Sequence, residues 1–267
     1  MIWRGELATF SAALAEPGSM MAGGITKAAL TIESAPVMAR FNGDVVWKEK
    51  LQGDGTLEAN IPSAGKLVEW IGLKGANALP AEQLRVLGDG VFTAEGFDFR
   101  PISVRLGDGK ADGRLKMSMT EGMIGLSGTL AFDQLLLGEI GVGGEDGNNL
   151  LEDLLTTSQS GAVIDLRLSA ETARIGMQDA KNMAVGLLLK DHNLVVNVGA
   201  MELAGAENLI NGKLGGELSI SKDNQSRSFD ANLTLSETSF TSIRQSTSIS
   251  LPFELSLIHI SEPTRPY

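Results

Sequence analysis

The sequence predicts a mainly β protein, an antiparallel meander forming an elongated curved sheet or groove with a few short helices. Three observations carry that expectation. Apolar and polar residues alternate with a period of two along many segments, and Gly-bearing turn signals separate those segments. The chain also has 32 glycines but only 5% aromatic residues. That balance favours many short strands over a dense aromatic core.

The turn signals are Asn42-Gly43, Gly53-Asp54-Gly55, Gly88-Asp89-Gly90, Gly107-Asp108-Gly109 and Asn211-Gly212. Asn-Gly and Asp-Gly supply the positive φ angles of tight hairpins, so consecutive strands are expected to pair antiparallel. "SAGKLVEWIGLKG" interrupts the strands: Ser63 serves as N-cap, Leu67, Trp70 and Ile71 share a face, and Gly75 stops the turn, which predicts a short helix near 63–73.

Alternation is clearest further along. Leu115, Met117 and Met119 oppose Lys116 and Ser118, and Ile124, Leu126, Leu130 and Phe132 oppose Ser127, Thr129 and Asp133. The loop "GEIGVGGEDG" then separates two β regions, placing a boundary between segments 1–140 and 141–254. "NNLLEDLLTT" opens the second segment with a helix near 149–157, capped by Asn148 or Asn149, with Leu150, Leu151, Leu154 and Leu155 as its stripe. In "AVIDLRLSAETARI", Ile164, Leu166, Leu168 and Ala170 face one way while Asp165, Arg167 and Ser169 face the other. Leu194, Val196 and Val198 follow, then Leu218 with Ile220, then Ala231, Leu233 and Leu235.

The final stretch, residues 255–267, "LSLIHISEPTRPY", breaks this pattern. Leu255 to Arg265 match the translation of a common transposase sequencing adapter, so the segment is expected to be adapter read-through and is set aside, together with His259 and Tyr267.

Charge and composition exclude several function classes. A net charge of −11 with no basic stripe argues against tracking a nucleic-acid backbone, which requires clustered Lys and Arg. The same balance disfavours electrostatic docking on anionic lipid but leaves contact through an apolar groove open. The absence of cysteine excludes disulfides and thiolate metal sites. The opening residues do not form a signal peptide, and no stretch of about 18 apolar residues occurs.

Candidate chemistry is sparse. Gly141-Val142-Gly143 is followed by Asp146 where a dinucleotide fingerprint needs its third glycine, and Glu145 with Asp146 would repel phosphate. Asp146 and Asn148 lack the spacing of a calcium loop. His192 follows Asp191, but neighbours on an extended chain diverge, which makes His192 a turn residue rather than a triad member. The acid pairs Glu6 with Glu16 and Glu152 with Asp153 lie on polar faces, with nothing to bring them to glycosidase spacing. The sequence therefore predicts no catalytic residues, no cofactor and no metal site; an enzyme would need polar groups converging in a pocket.

From Leu150 to Ile220 a helix leads to "DLRLSA", an Arg174-Ile175-Gly176 turn, a strand ending in Lys190-Asp191, "NLVVNV", an Ala-Gly step and "GKLGGELSI". In this order the segment resembles the C-terminal region of the AsmA family, as do "GTLEANIPSAGKLVEWIG" and "IGLSGTLAFDQL" upstream. The insertion Ala206–Ile210 departs from the usual short step.

The resemblance implies a bacterial envelope protein anchored in the inner membrane by an N-terminal helix that this sequence lacks, with a β-rich body on the periplasmic side. It implies a part in outer-membrane biogenesis and movement of phospholipid along an apolar β groove. Ile124, Leu126, Leu130, Phe132, Ile164, Leu166, Leu168, Leu194, Val196 and Val198 are the expected groove lining. Alternation fixes which side is apolar but not what fills it, so a closed sandwich acting as an envelope interaction module stands as the alternative.

Overall fold

A computed structural model describes residues 2–3, 5–71, 82–120, 123–137, 162–175, 178–204, 211–222 and 227–237. A ribbon of β1 (Ile2–Trp3) and β2 (Glu6–Leu7) precedes one 13-stranded sheet. Its strands are β3 (Thr9–Leu14), β4 (Ile25–Glu33), β5 (Met38–Trp47), β6 (Leu51–Ile61), β7 (Leu84–Thr93), β8 (Gly96–Leu106), β9 (Gly109–Thr120), β10 (Met123–Leu137), β11 (Ala162–Ile175), β12 (Gln178–Lys190), β13 (Asn193–Ala204), β14 (Gly212–Lys222) and β15 (Arg227–Ser236). They lie in chain order from β3 to β15, and the sheet does not close on itself. Every neighbouring pair is antiparallel except β10 and β11, which run parallel. At a strand spacing of about 4.8 Å, 13 strands extend roughly 58 Å across the sheet.

The expected meander is thus present, with one parallel step inside it. Strands β10 and β11, on either side of the loop at 138–147, are neighbours in the one sheet. The loop itself, the helix expected near 149–157 and the segment 255–267 lie outside the described residues.

Among the described residues two short helices accompany the sheet. In α2 (Ala64–Ile71), the Lys66 amide donates to Ser63 Oγ at 3.4 Å and the Leu67 amide to the Ser63 carbonyl at 3.1 Å, while Trp70 is buried. This is the helix expected near 63–73, started by the anticipated cap. The other, α1 (Pro17–Met21), was not anticipated; Pro17 in its first turn has the fixed φ that starts a helix.

Most of the predicted turns are not turns. Asn42-Gly43 lies in the middle of β5, Gly53-Asp54-Gly55 in β6 and Gly88-Asp89-Gly90 in β7. Among the described residues Gly107-Asp108 connects two strands as expected, with Gly107 at φ +56°, while Asn211-Gly212 stands at the start of β14, next to residues 205–210, which lie outside the described ones. The physical reason is close backbone approach. Gly43 pairs with Gly55 and Gly55 with Gly90, forming a glycine row across three strands. A Cβ on Gly55 would lie 2.6 Å from the Gly43 Cα and collide with the Asn42 carbonyl. A Cβ on Gly53 would strike the Phe92 ring. These glycines let the sheet bend and seat phenyl rings on its inner side. The Phe41 and Phe92 rings meet edge to face at 4.8 Å, and Phe97 stacks on Phe99 at 5.7 Å.

The actual turns use other chemistry. Ser34 closes β4 onto β5 by donating its amide to the Val37 carbonyl at 2.9 Å and its hydroxyl to the same oxygen at 3.1 Å. Ala94-Glu95 joins β7 to β8. Asp191-His192 joins β12 to β13 with φ of 48° and 63°, the positive angles that a two-residue hairpin demands.

Candidate functional site: the apolar inner face

Register places the inner residues in continuous rows that cross the strands. One row runs Leu30, Phe41, Leu57, Gly88, Ile102, Gly113, Leu130, Leu168, Val185, Val198, Gly216 and Leu233. The next includes Gly128, Leu166, Leu187, Val196 and Leu218, and a third Leu126, Ile164, Leu189, Leu194 and Ile220. Side chains directly opposite on one face are about 4.5–5.5 Å apart, so each row is a contiguous apolar line.

All ten residues expected to line a groove belong to this face. Leu126, Leu130, Ile164, Leu166, Leu168, Leu194, Val196 and Val198 occupy the three rows just traced. Phe132 pairs with Ala170 and Ile124 with Ala162, extending the face at either end of β10. Phe132 and Leu194 are buried, and the other eight are half-buried.

Strict alternation alone would not hold this face together. On β10 the inward residues step from Phe132 to Leu135, on β11 from Ala170 to Ala173, on β12 from Ala180 to Met183 and on β13 from Val198 to Met201. Each step is three residues, so each strand accommodates an extra residue at nearly the same level. On β12 the accommodation includes Asn182 at φ 51° beside a register shift. On β8 a similar shift between Phe99 and Ile102 keeps both buried. Aligned bulges of this kind increase twist and bend a sheet while keeping its apolar side inward.

Sequence reasoning missed several inward residues. Leu187 and Leu189 lie in the run Leu187-Leu188-Leu189, whose middle member is exposed on the outer face. An unbroken apolar run hides a period of two. Phe97, Phe99, Ile102 and Val104 were hidden because the extra residue between Phe99 and Ile102 reverses the phase. In both cases a signal was present, in the polar residues Lys190, Asp98 and Arg105 that flank the segments and face outward.

The inner face is filled unevenly. Ile102, Leu189 and Leu194 are fully buried. Towards the two ends of the sheet and at the rim, Phe10 (50%), Trp47 (49%), Met119 (55%), Phe229 (42%) and Leu233 (41%) remain open to solvent. No second sheet among the described residues lies over this face; the only other sheet is the two-stranded ribbon β1–β2.

Electrostatics belong to the outer side. Lys27 meets its register partner Asp44 at 3.0 Å and Arg174 meets its partner Asp179 at 2.7 Å. Lys50 bridges to Glu95 between two hairpin turns at 2.8 Å. Hydrogen bonding to Lys50, and its charge, hold the Glu95 carboxyl below its ordinary range; Arg174 does the same for Asp179 and Arg100 for Asp98. Asp133 is lowered chiefly by the Lys110 amide, which donates to it at 2.7 Å. Among the described residues no three His, Asp or Glu side chains gather to hold a metal ion, and no helix is long and apolar enough to cross a membrane.

Among the described residues the fold defines a class, an open, mostly antiparallel sheet with one apolar face. No family model, curated protein or solved structure matches the chain.

Proposed function

We propose that this chain is a noncatalytic, lipid-accommodating trough of the AsmA type, working on the periplasmic side of the bacterial inner membrane in outer-membrane biogenesis. The observation that carries the reading is the set of rows without polar side chains, the longest crossing eleven strand pairings of an open sheet, with half-buried side chains along them. The resemblance of Leu150–Ile220 to the AsmA C-terminal region supports the compartment and the phospholipid ligand.

The physics favours hydrocarbon as the occupant. Exposing acyl chain to water costs about 0.8 kcal/mol per methylene, and a continuous apolar face offsets most of it at every position along the path. Because the rows run from strand to strand, the lipid path follows the long dimension of the sheet. Along the first row a lipid tail then meets Leu, Val, Ile or Phe side chains and the bare backbone of Gly88, Gly113 and Gly216, with no polar side chain to arrest it.

Photo-crosslinking tests the proposal. A photoreactive residue placed at Leu166 or Val196 should capture phospholipid in cells, whereas one at the outward Arg167 or Asn197 should not. Absence of lipid adducts from the inward positions in folded protein, or equal capture from both faces, would overturn it.

A second reading is favoured by the complete burial of Leu189 and Leu194. In it the face is covered by polypeptide and the sheet is an envelope interaction module. It predicts protein adducts and no lipid from the same positions.

A further inference from the structure

On the outer face, opposite the apolar rows, Arg85 of β7, Arg105 of β8 and Lys110 of β9 are consecutive register partners. Three cations thus stand side by side on adjacent strands, with Cβ atoms about 5 Å apart, in a chain whose net charge is −11. Like charges directly opposite one another destabilise a sheet, so an anion bound across such a row would relieve that repulsion. Lys110 is compensated: its Nζ lies 3.0 Å from Asp112 Oδ2. Arg85 and Arg105 are not, because no carboxylate pairs with either among the described residues.

The three cations line a concavity of about 370 Å³ together with Asn60, Ser103 and Glu58. Glu58 is the one acid on its wall; its register partner on β5 is Arg40, with no ion pair within 4.0 Å between them. Asp133, beyond Lys110, spends its Oδ1 on the backbone amides of Lys110 and Gln134. The concavity therefore presents two guanidinium forks beside the Asn60 amide, whose oxygen accepts from Gln83 Nε2 at 2.5 Å, while the Ser103 hydroxyl is engaged by Asp112. Planar forks of this kind bind tetrahedral oxyanions through paired N–H donors, which a lysine cannot reproduce.

We propose that Arg85 and Arg105, assisted by Lys110, form a binding site for a phosphate group on the outer face. Its ligand is a phosphate ester or free phosphate, and the two possible sources, a lipid headgroup and a soluble phosphate, are separated by experiment. The site lies on the opposite side of the sheet from the apolar rows, so its failure would leave the trough untouched.

The test has two arms. Inorganic phosphate is titrated into the protein by calorimetry, and flotation is measured with phosphatidylcholine vesicles with and without phosphatidylglycerol. R85Q/R105Q should weaken binding by about tenfold or more in whichever arm shows it. R85K/R105K, which keeps the charge but loses the forks, should fall between the two. K181Q/K190Q removes the same charge elsewhere and should leave binding near wild type. Binding in the phosphate arm alone assigns a soluble ligand, and binding in the vesicle arm assigns a headgroup; either supports the site. No binding in both arms, or equal loss in R85Q/R105Q and K181Q/K190Q, overturns it. Circular dichroism confirms folding, and if the Gln pair misfolds the Lys pair decides: binding equal to wild type would then count against the forks.

Discussion

Leu130 of β10 and Leu168 of β11 are register partners across the one parallel pairing among the described strands. The relationship matters because a chain reversal between antiparallel neighbours sets register through a short turn, whereas a parallel step has no such guide. Here the apolar faces do the aligning. Leu126 meets Ile164, Gly128 meets Leu166 and Leu130 meets Leu168, so the rows cross the step without changing side. A slip of one residue would turn Asp165 and Arg167 inward, at the cost of burying charge.

The fully buried Leu194 anchors one of these rows. Leu194→Ala should destabilise the protein by about 2–5 kcal/mol, the usual cost of a cavity left by leucine, and should lower the urea midpoint without changing the slope. The half-buried neighbour Val196→Ala should cost clearly less.

The glycine row tests the bend. Gly55→Val places a side chain against the Asn42 carbonyl and the Gly43 Cα, so the β5–β6 pairing must open. A loss of more than about 1 kcal/mol is expected by chemical denaturation. Gly186→Ala on β12 serves as the control, because a Cβ there meets nothing nearer than 3.6 Å.

The hairpin at Asp191-His192 carries two residues in the left-handed region without a glycine. Replacing the pair by Asn-Gly should raise stability by about 1 kcal/mol, since those residues adopt the positive angles at lower cost. A lower melting temperature in the double variant would show that His192 contributes contacts instead.

The Arg174–Asp179 pair predicts a pH dependence of defined sign. Arg174 depresses the folded-state pKa of Asp179, so the pair's contribution is fully present above the ordinary aspartate pKa of about 3.9. It is lost as pH falls through the folded value. Carbon-detected NMR titration should find Asp179 below the ordinary range in the wild type and back near it in Arg174→Gln. Because both side chains are exposed, the change in stability should be small and should shrink with added salt.

Much of the fold was legible in the residues, and the particulars show why. Alternation in Leu194–Val198 and Ile164–Leu168 marked the face correctly, because a period of two is a property of the extended backbone itself. Ser63 marked the start of α2 for an equally local reason, a hydroxyl within reach of a free amide. The glycine pairs misled, since a sequence shows which residue lacks a Cβ but not whether the space is needed for a turn or for a neighbouring strand. The apolar side of the sheet was legible on β10, β11 and β13, but not on β12, where Leu188 fills the outward position with another apolar residue. Arg85, Arg105 and Lys110 could not be seen as a group at all, since they lie on three strands and only register makes them neighbours.

By itself, then, the sequence determined that the chain is extended and repeatedly reversed, and which edge of each strand is apolar, because those properties follow from local sterics and side-chain spacing. Tertiary structure decided that the strands form one open sheet, that bulges at matching levels keep its apolar side continuous, and that cations far apart in the chain stand together. Those outcomes depend on which backbones pair and in what register, which is settled by contacts between segments that no single segment encodes.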